Sequence, residues 1–253
     1  MNELMIILVA GIFLPLFPMS MVFNAVVDNI KQPWLKVFLF VAWPLCGLFI
    51  VFYSGVVIPS WILTLALVTS TLYAFRMLSL REVNQWNGFL ATSLWSLLWL
   101  AVIHKTPEVL LYGYALGMTV PLVLLVILSA GLEKRFGAAY TGLYGGLART
   151  IPRFSGVLVM VIVAAVATPL FPTFFIMLDM VVETIVVMPL AAMALLLIWL
   201  LWSWAGARLI QGLIVGRASN TKVADIGIST ISSFSIVLLA LATAGIYLSG
   251  LIL

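Results

Sequence analysis

The chain has 253 residues, 65% of them hydrophobic and only 8% charged. So apolar a composition cannot cover a water-soluble domain, which excludes soluble enzymes and nucleic-acid-binding modules with wetted, charged surfaces. The net charge of +4 is the basic bias of a membrane protein, with anionic lipid headgroups as counter-ions and no nucleic acid as partner. Cys46 is the single cysteine, so there is neither a disulfide framework nor a thiol metal site.

Eight apolar stretches follow one another, at roughly 5–25, 34–54, 56–75, 86–103, 109–131, 154–177, 184–206 and 228–251. At about 1.5 Å per residue each is long enough to cross about 30 Å of hydrocarbon as a helix. The first is preceded by Glu3 rather than a basic segment, and no small-residue cleavage site follows it, so it reads as a retained span. The expected fold is all-α: a polytopic membrane protein of about eight transmembrane helices in a single integral domain.

Eleven of the twelve Lys and Arg residues fall in alternate loops. These are Lys31 and Lys36; Arg76 and Arg81; Lys134, Arg135, Arg149 and Arg153; and Arg208, Arg217 and Lys222. Only Lys105 lies on the other side. The positive-inside rule makes those four loops cytoplasmic and sets both termini on the periplasmic side of a bacterial inner membrane.

Seven prolines lie well inside the spans: Pro15, Pro18, Pro44, Pro121, Pro169, Pro172 and Pro189. Each removes a backbone donor, which hydrocarbon tolerates only where neighbouring groups re-satisfy the backbone. In the fifth span Gly113, Gly117 and Pro121 recur every four residues and share one helical face. They fit either close helix packing through small residues or a break in the helix beside a transport path. The run from Gly142 to Leu147 is glycine-rich, but it lacks the Lys and hydroxyl spacing of a phosphate-binding loop and reads as an interfacial turn.

No titratable residue falls in the middle of any predicted span. The acidic residues are Glu3, Asp28, Glu82, Glu108, Glu133, Asp179, Glu183 and Asp225, all at or near predicted ends. His104 closes the fourth span beside Lys105, as a solvated cap or a proton relay. Asp179 and Glu183 stand four apart between the sixth and seventh spans, so a helix would align them as the mouth of an ion path. They serve equally as a polar turn or a contact to a partner's basic residue. Arg81 and Glu82, followed by Asn84, Gln85 and Asn87, begin the fourth span as a buried polar junction or part of a conduction path. Catalytic, cofactor-binding and metal-ligating constellations are not visible, so no cofactor is expected.

From about residue 70 the chain resembles the second half of the antiporter-like subunits of respiratory complex I and the Mrp-type antiporters. The similarity rests on LSLREVNQWNGFLATSLW, where Arg81 takes the place of a lysine entering a helix, and on GLEKRFGAAYTGLYGGLARTIPRFSG. AAVATPLFPTFF, WSWAGARLIQGLIVG and the closing ADIGIST and AGIYLSGL extend it. The resemblance implies a division at residues 1–69 and 70–253, the first part supplying three spans where the family has a fuller repeat. Where the family has a histidine this chain has Gly117, and the acidic residue expected after the family's Pro-Gly turn is apolar here, with Asp179 the nearest carboxylate.

Scaffold without proton wire implies a subunit of a larger proton- or cation-coupled complex, such as a proton-powered inorganic-carbon uptake complex or a membrane hydrogenase. Its expected partners are lipid and other membrane subunits, including a full-length antiporter-like one, met through lateral surfaces rich in the nine Trp and fifteen Phe. An independent secondary transporter using broken helices is the alternative, and it predicts inverted-repeat symmetry. An intramembrane enzyme would need a catalytic cluster that the sequence does not offer.

Overall fold

The computed structural model describes residues 3–141, 146–216 and 223–252. The glycine-rich run at 142–145, with Arg217 and Lys222, lies outside the described residues. The described chain is helical, as the apolar spans require, and its one β-type contact is an isolated antiparallel bridge between Glu82 and Tyr140.

Twelve helices follow in order: α1 (Glu3–Phe13), α2 (Ser20–Asn29), α3 (Pro33–Ser54), α4 (Trp61–Met77), α5 (Val83–Ser96), α6 (Leu98–Ile103), α7 (Glu108–Phe136), α8 (Leu147–Thr150), α9 (Pro152–Ala165), α10 (Pro172–Val187), α11 (Pro189–Ile214) and α12 (Ile228–Ile252), counted among the described residues. Among the described residues five helical stretches are long and apolar enough to cross a membrane alone: α3, α5 with α6, α7, α11 and most of α12. Helix α4 is shorter, at 17 residues. The other two predicted spans differ from expectation, because each is a pair of half-helices.

The first span breaks between Phe13 and Ser20, and the sixth between Ala165 and Pro172. Both breaks contain two prolines three residues apart, Pro15 with Pro18 and Pro169 with Pro172. Two donors lost within one turn end a helix, whereas the single Pro44 and Pro121 lie inside continuous helices. The second pair nonetheless forms one traverse: Gly131 of α7 meets Phe154 of α9, Gly117 meets Pro172, and Tyr114 bonds Asp179. Along α7, then, α9 and α10 run antiparallel as a single interrupted helix.

Tryptophan indoles close the backbone groups that the breaks expose. Trp43 Nε1 donates to the Ile12 carbonyl and Trp99 Nε1 to the Leu14 carbonyl, each at 2.9 Å, while Phe17 N–H donates to Thr69 Oγ1. At the second break Trp199 Nε1 donates to the Ala167 carbonyl at 2.8 Å. Here Ala167 (φ 58°) and Leu170 (φ 96°) adopt the left-handed region that non-glycine residues avoid, so their geometry must be held from outside. A glycine from a neighbouring helix presses on each break. A Cβ on Gly47 would lie 2.7 Å from Leu14 Cγ, and one on Gly245 would collide with the Leu170 carbonyl oxygen.

Two expectations are corrected by this arrangement. Helix α7 is uninterrupted through Gly113, Gly117 and Pro121, because one proline costs only one helical donor, the one that would have met the Gly117 carbonyl. Asn87 Nδ2 donates to the Leu122 carbonyl, and Gly117 seats against Pro172, the close-packing role. Tryptophan also serves the interior more than the lateral surface. Trp34, Trp61 and Trp204 are exposed, while Trp86, Trp95, Trp99 and Trp202 are among the largest fully buried side chains.

Removing a capping donor should therefore be costly. Trp99→Phe and Trp199→Phe are each expected to destabilise the protein by about 1–3 kcal/mol, the cost of a stranded buried carbonyl. Trp34→Phe, 78% exposed, should change stability by less than about 0.5 kcal/mol. Thermal unfolding in a mild detergent reads all three.

Candidate functional site

The helix ends sort into two faces. On one stand Asp28, Glu82, Glu133 and Lys36, and the other three charges all act on the Glu82 carboxyl. They come from α2, the turn before α5, the last turn of α7 and the start of α3. Asn84 ties the group together, donating from Nδ2 to Glu133 Oε1 and accepting at Oδ1 from Ser129 Oγ at 2.6 Å. Backbone bonds from Val83 N–H to the Ala139 carbonyl and from Thr141 N–H to the Arg81 carbonyl fix the turn beside the segment after α7. The polar junction expected at the start of the fourth span is thus present and hydrogen-bonded, and it recruits Glu133 from another helix.

Burial pushes the Glu82 carboxyl above the usual carboxylate range, and the like charges of Asp28 and Glu133 push it the same way against Lys36. Arg81 points to different company. It is exposed and lines a cavity with Arg208, apart from the acidic group.

On the opposite face, Asp179 and Glu183 lie within α10 rather than in a connecting turn, which corrects the sequence expectation. The sixth predicted span, 154–177, ends inside α10, so residues 178–183 fall in a predicted connection although they continue the helix. As expected for residues four apart, they lie one turn from each other. Tyr114 Oη donates to Asp179 Oδ2 at 2.6 Å, across the α7–α10 contact. Glu183 is exposed. His104 lies near Glu183 and shares a 3.1 Å hydrogen bond with Thr184 Oγ1. Arg81 with Glu82 and Asp179 with Glu183 are therefore not brought together; they belong to opposite ends of the bundle.

Between these faces the interior holds neutral polar groups bonded to one another; the absence of ionisable residues there was expected, the network was not. Ser20 Oγ and Tyr73 Oη are 3.0 Å apart, and Asn24 Nδ2 donates to Thr92 Oγ1 at 3.0 Å. Ser70 and Ser93 hydroxyls meet at 2.8 Å, and Trp202 Nε1 donates to Ser93 Oγ. Trp95 Nε1 donates to Thr119 Oγ1 at 3.0 Å. These bonds join α2, α4, α5, α7 and α11 through groups that stay neutral. Their signal in the sequence was a set of Ser and Thr residues in spans otherwise apolar. Among the described residues no group of His, Cys, Asp or Glu converges to hold a metal ion.

Comparison with solved structures matches this bundle of continuous and interrupted helices. The chain is similar to one in the Mrp complex from Dietzia sp. DQ12-45-1b, with 15% identity and a TM-score of 0.74 over 84% of this chain and 41% of that one. It is similar to one in respiratory complex I from Thermus thermophilus with bound NADH, with 19% identity and a TM-score of 0.76 over 97% of this chain and 54% of that one. A third lies in the membrane-bound sulfane sulfur reductase, an archaeal respiratory membrane complex, with 14% identity and a TM-score of 0.77 over 92% and 50%. No protein-family model matches the sequence, and no curated protein matches it.

The protein is an integral membrane protein with the antiporter-like subunit fold. It spans about half the length of the chains it matches, at 41%, 54% and 50%.

The Glu82 environment makes a pH-dependent prediction. A carboxyl whose folded pKa is raised binds its proton more tightly in the folded state, so the folded state loses ground as pH rises from the ordinary carboxylate pKa to the raised one. Glu82→Gln should leave stability unchanged below that window and raise it above, measured as detergent unfolding temperatures across pH 3 to 8. A variant less stable than the wild type at neutral pH would contradict the assignment.

Proposed function

We propose that this protein is a membrane subunit of a larger proton- or cation-coupled complex, largely a scaffold. One observation carries this reading: from Glu82 and Glu133 at one face to Asp179 at the other, the described helices offer hydroxyls, amides and indoles but no Asp, Glu, Lys, Arg or His. A conducting helix bundle keeps costly ionisable groups along its path. A proton-powered inorganic-carbon uptake complex or a membrane hydrogenase is the proposed setting, with a full-length antiporter-like subunit as neighbour. Residues 70–253 form the antiporter-like part and residues 1–69 its three-span complement. Arg81, Glu82, Asp179 and Glu183 are proposed as contacts to partner subunits or as ion-path mouths that a partner completes. The alternation of basic loops supports a bacterial inner membrane location, the Arg81 face cytoplasmic and both termini periplasmic.

The alternative, an independent secondary transporter, draws support from one feature. The two interrupted helices cross the bundle in opposite directions, α1–α2 toward the Lys/Arg-rich face and α9–α10 away from it, as inverted repeats do.

Purification from native membranes in mild detergent, with mass spectrometry of co-eluting chains, separates the two. The scaffold reading expects stoichiometric membrane partners; a monodisperse particle of this chain alone that transports a substrate supports the alternative. In a Cys46→Ser background, a cysteine at Thr150 should react with impermeant reagent only from the cytoplasm, and one at Pro107 only from outside. Asp179→Asn with Glu183→Gln should lower the yield of assembled complex more than the turnover of each complex that assembles.

A further inference from the structure

The α4–α11 seam carries a run of adjoining cavities that share lining residues. At the basic face, a cavity of about 380 Å³ is lined by Arg81, Arg208, Gln211, Thr141 and Trp86 among apolar residues. A second, of about 330 Å³, shares Arg81 and Arg208 with it and adds Arg76 and Ser79. Phe75 and Arg76 then border a third space of about 800 Å³, whose remaining lining includes Leu67, Val68, Leu72 and Leu197.

These spaces have matched chemistry. The guanidinium groups of Arg81 and Arg208 have no hydrogen-bond or ion-pair partner among the described residues, and no Asp or Glu lines any of the three cavities. Arg76 stands over the Phe89 ring, 5.2 Å from its centroid, which leaves its donors uncommitted. Trp86 is 1% exposed, and its indole N–H has no partner although the side chain lines the cavity of Arg81 and Arg208. A stranded buried donor beside two unpaired cations asks for an acceptor that is itself negative. Below the arginines the groove is apolar and open to the lipid side, with Val68 51%, Phe75 65% and Leu197 48% exposed. From Leu67 to Arg76 the helix rises about 14 Å, the depth of one leaflet of a ~30 Å core.

We propose that this seam is a binding site for an anionic phospholipid, its phosphate held between Arg81 and Arg208 with Arg76 at the rim, and an acyl chain lying along α4 and α11. The charge is complementary, since the leaflet at a basic membrane face is the one rich in anionic headgroups. The phosphate supplies the oxygens the arginines and Trp86 lack, and the chain covers the apolar groove. This site is independent of which complex the subunit joins, and it gives Arg81 a lipid phosphate in place of a partner subunit, leaving Glu82, Asp179 and Glu183 for the roles proposed above.

The test uses the full chain purified in detergent, with native mass spectrometry of retained lipid and thermal unfolding after delipidation. Wild-type protein is expected to retain phosphatidylglycerol in preference to phosphatidylcholine, and to be stabilised by adding the first but neither the second nor inorganic phosphate. Arg81→Gln with Arg208→Gln should weaken phosphatidylglycerol binding about 30-fold, from two lost surface charges. Leu197→Trp keeps every arginine and fills the groove, so it should weaken the same lipid while the fold is retained, which covers a double variant that does not fold. Equal stabilisation by both lipids, full stabilisation by inorganic phosphate alone, or unchanged phosphatidylglycerol binding in the folded variants would overturn the proposal.

Discussion

The constraint on which the rest of this structure depends is that a peptide group freed inside hydrocarbon must find a partner within the protein. Two of the traverses break in their middle, and each break exposes carbonyls that no water of the bilayer core can reach. Indole N–H groups answer them: Trp43 for Ile12, Trp99 for Leu14 and Trp199 for Ala167. An indole suits this place because it brings one donor and no acceptor on a large apolar body, so it satisfies a carbonyl without importing a new unmet group. Glycines at Gly47 and Gly245 let the neighbouring helices approach closely enough to lock the breaks in position. Packing, capping and the course of the chain are thus one arrangement.

That arrangement also decides what the interior can do. The polar groups drawn inside are paired mainly with each other: Ser20 with Tyr73, Ser70 with Ser93, Trp95 with Thr119. A hydroxyl committed to a neighbour orders helices without carrying charge, which is the difference between a polar seam and a titratable wire. Charges are held at the two ends, the Asp28, Glu82 and Glu133 group on one face and Asp179 with Glu183 toward the other. The fold is shared with chains of the Mrp complex and of two respiratory complexes, and in this chain the described middle of the bundle holds neutral groups.

Much of this was legible in the sequence. Apolar length and the alternation of basic residues located the traverses, because both follow from the energetics of single residues in lipid. The breaks were less legible, since hydropathy averages over a proline pair and reports an apolar stretch either way. Pro15 with Pro18 and Pro169 with Pro172 were the usable signal, while the more conspicuous Gly113, Gly117 and Pro121 pattern packs inside the unbroken α7. A sixth stretch of 154–177 leaves Asp179 and Glu183 in a connection, and nothing in it points to the Tyr114–Asp179 bond. The Glu133–Asn84–Ser129 junction and the Arg81–Arg208 pairing join residues at least 45 positions apart. No local pattern encodes such meetings; only the packed bundle brings them together.

Ion flux through the isolated protein tests the central claim most directly. Reconstituted alone into sealed liposomes with an imposed proton or sodium gradient, the chain should show no flux above empty vesicles, because neutral, mutually bonded side chains separate its two charged ends. Flux through the wild-type protein that Asp179→Asn abolishes with the fold intact would contradict the account, and would make the broken helices a conduction path rather than a frame.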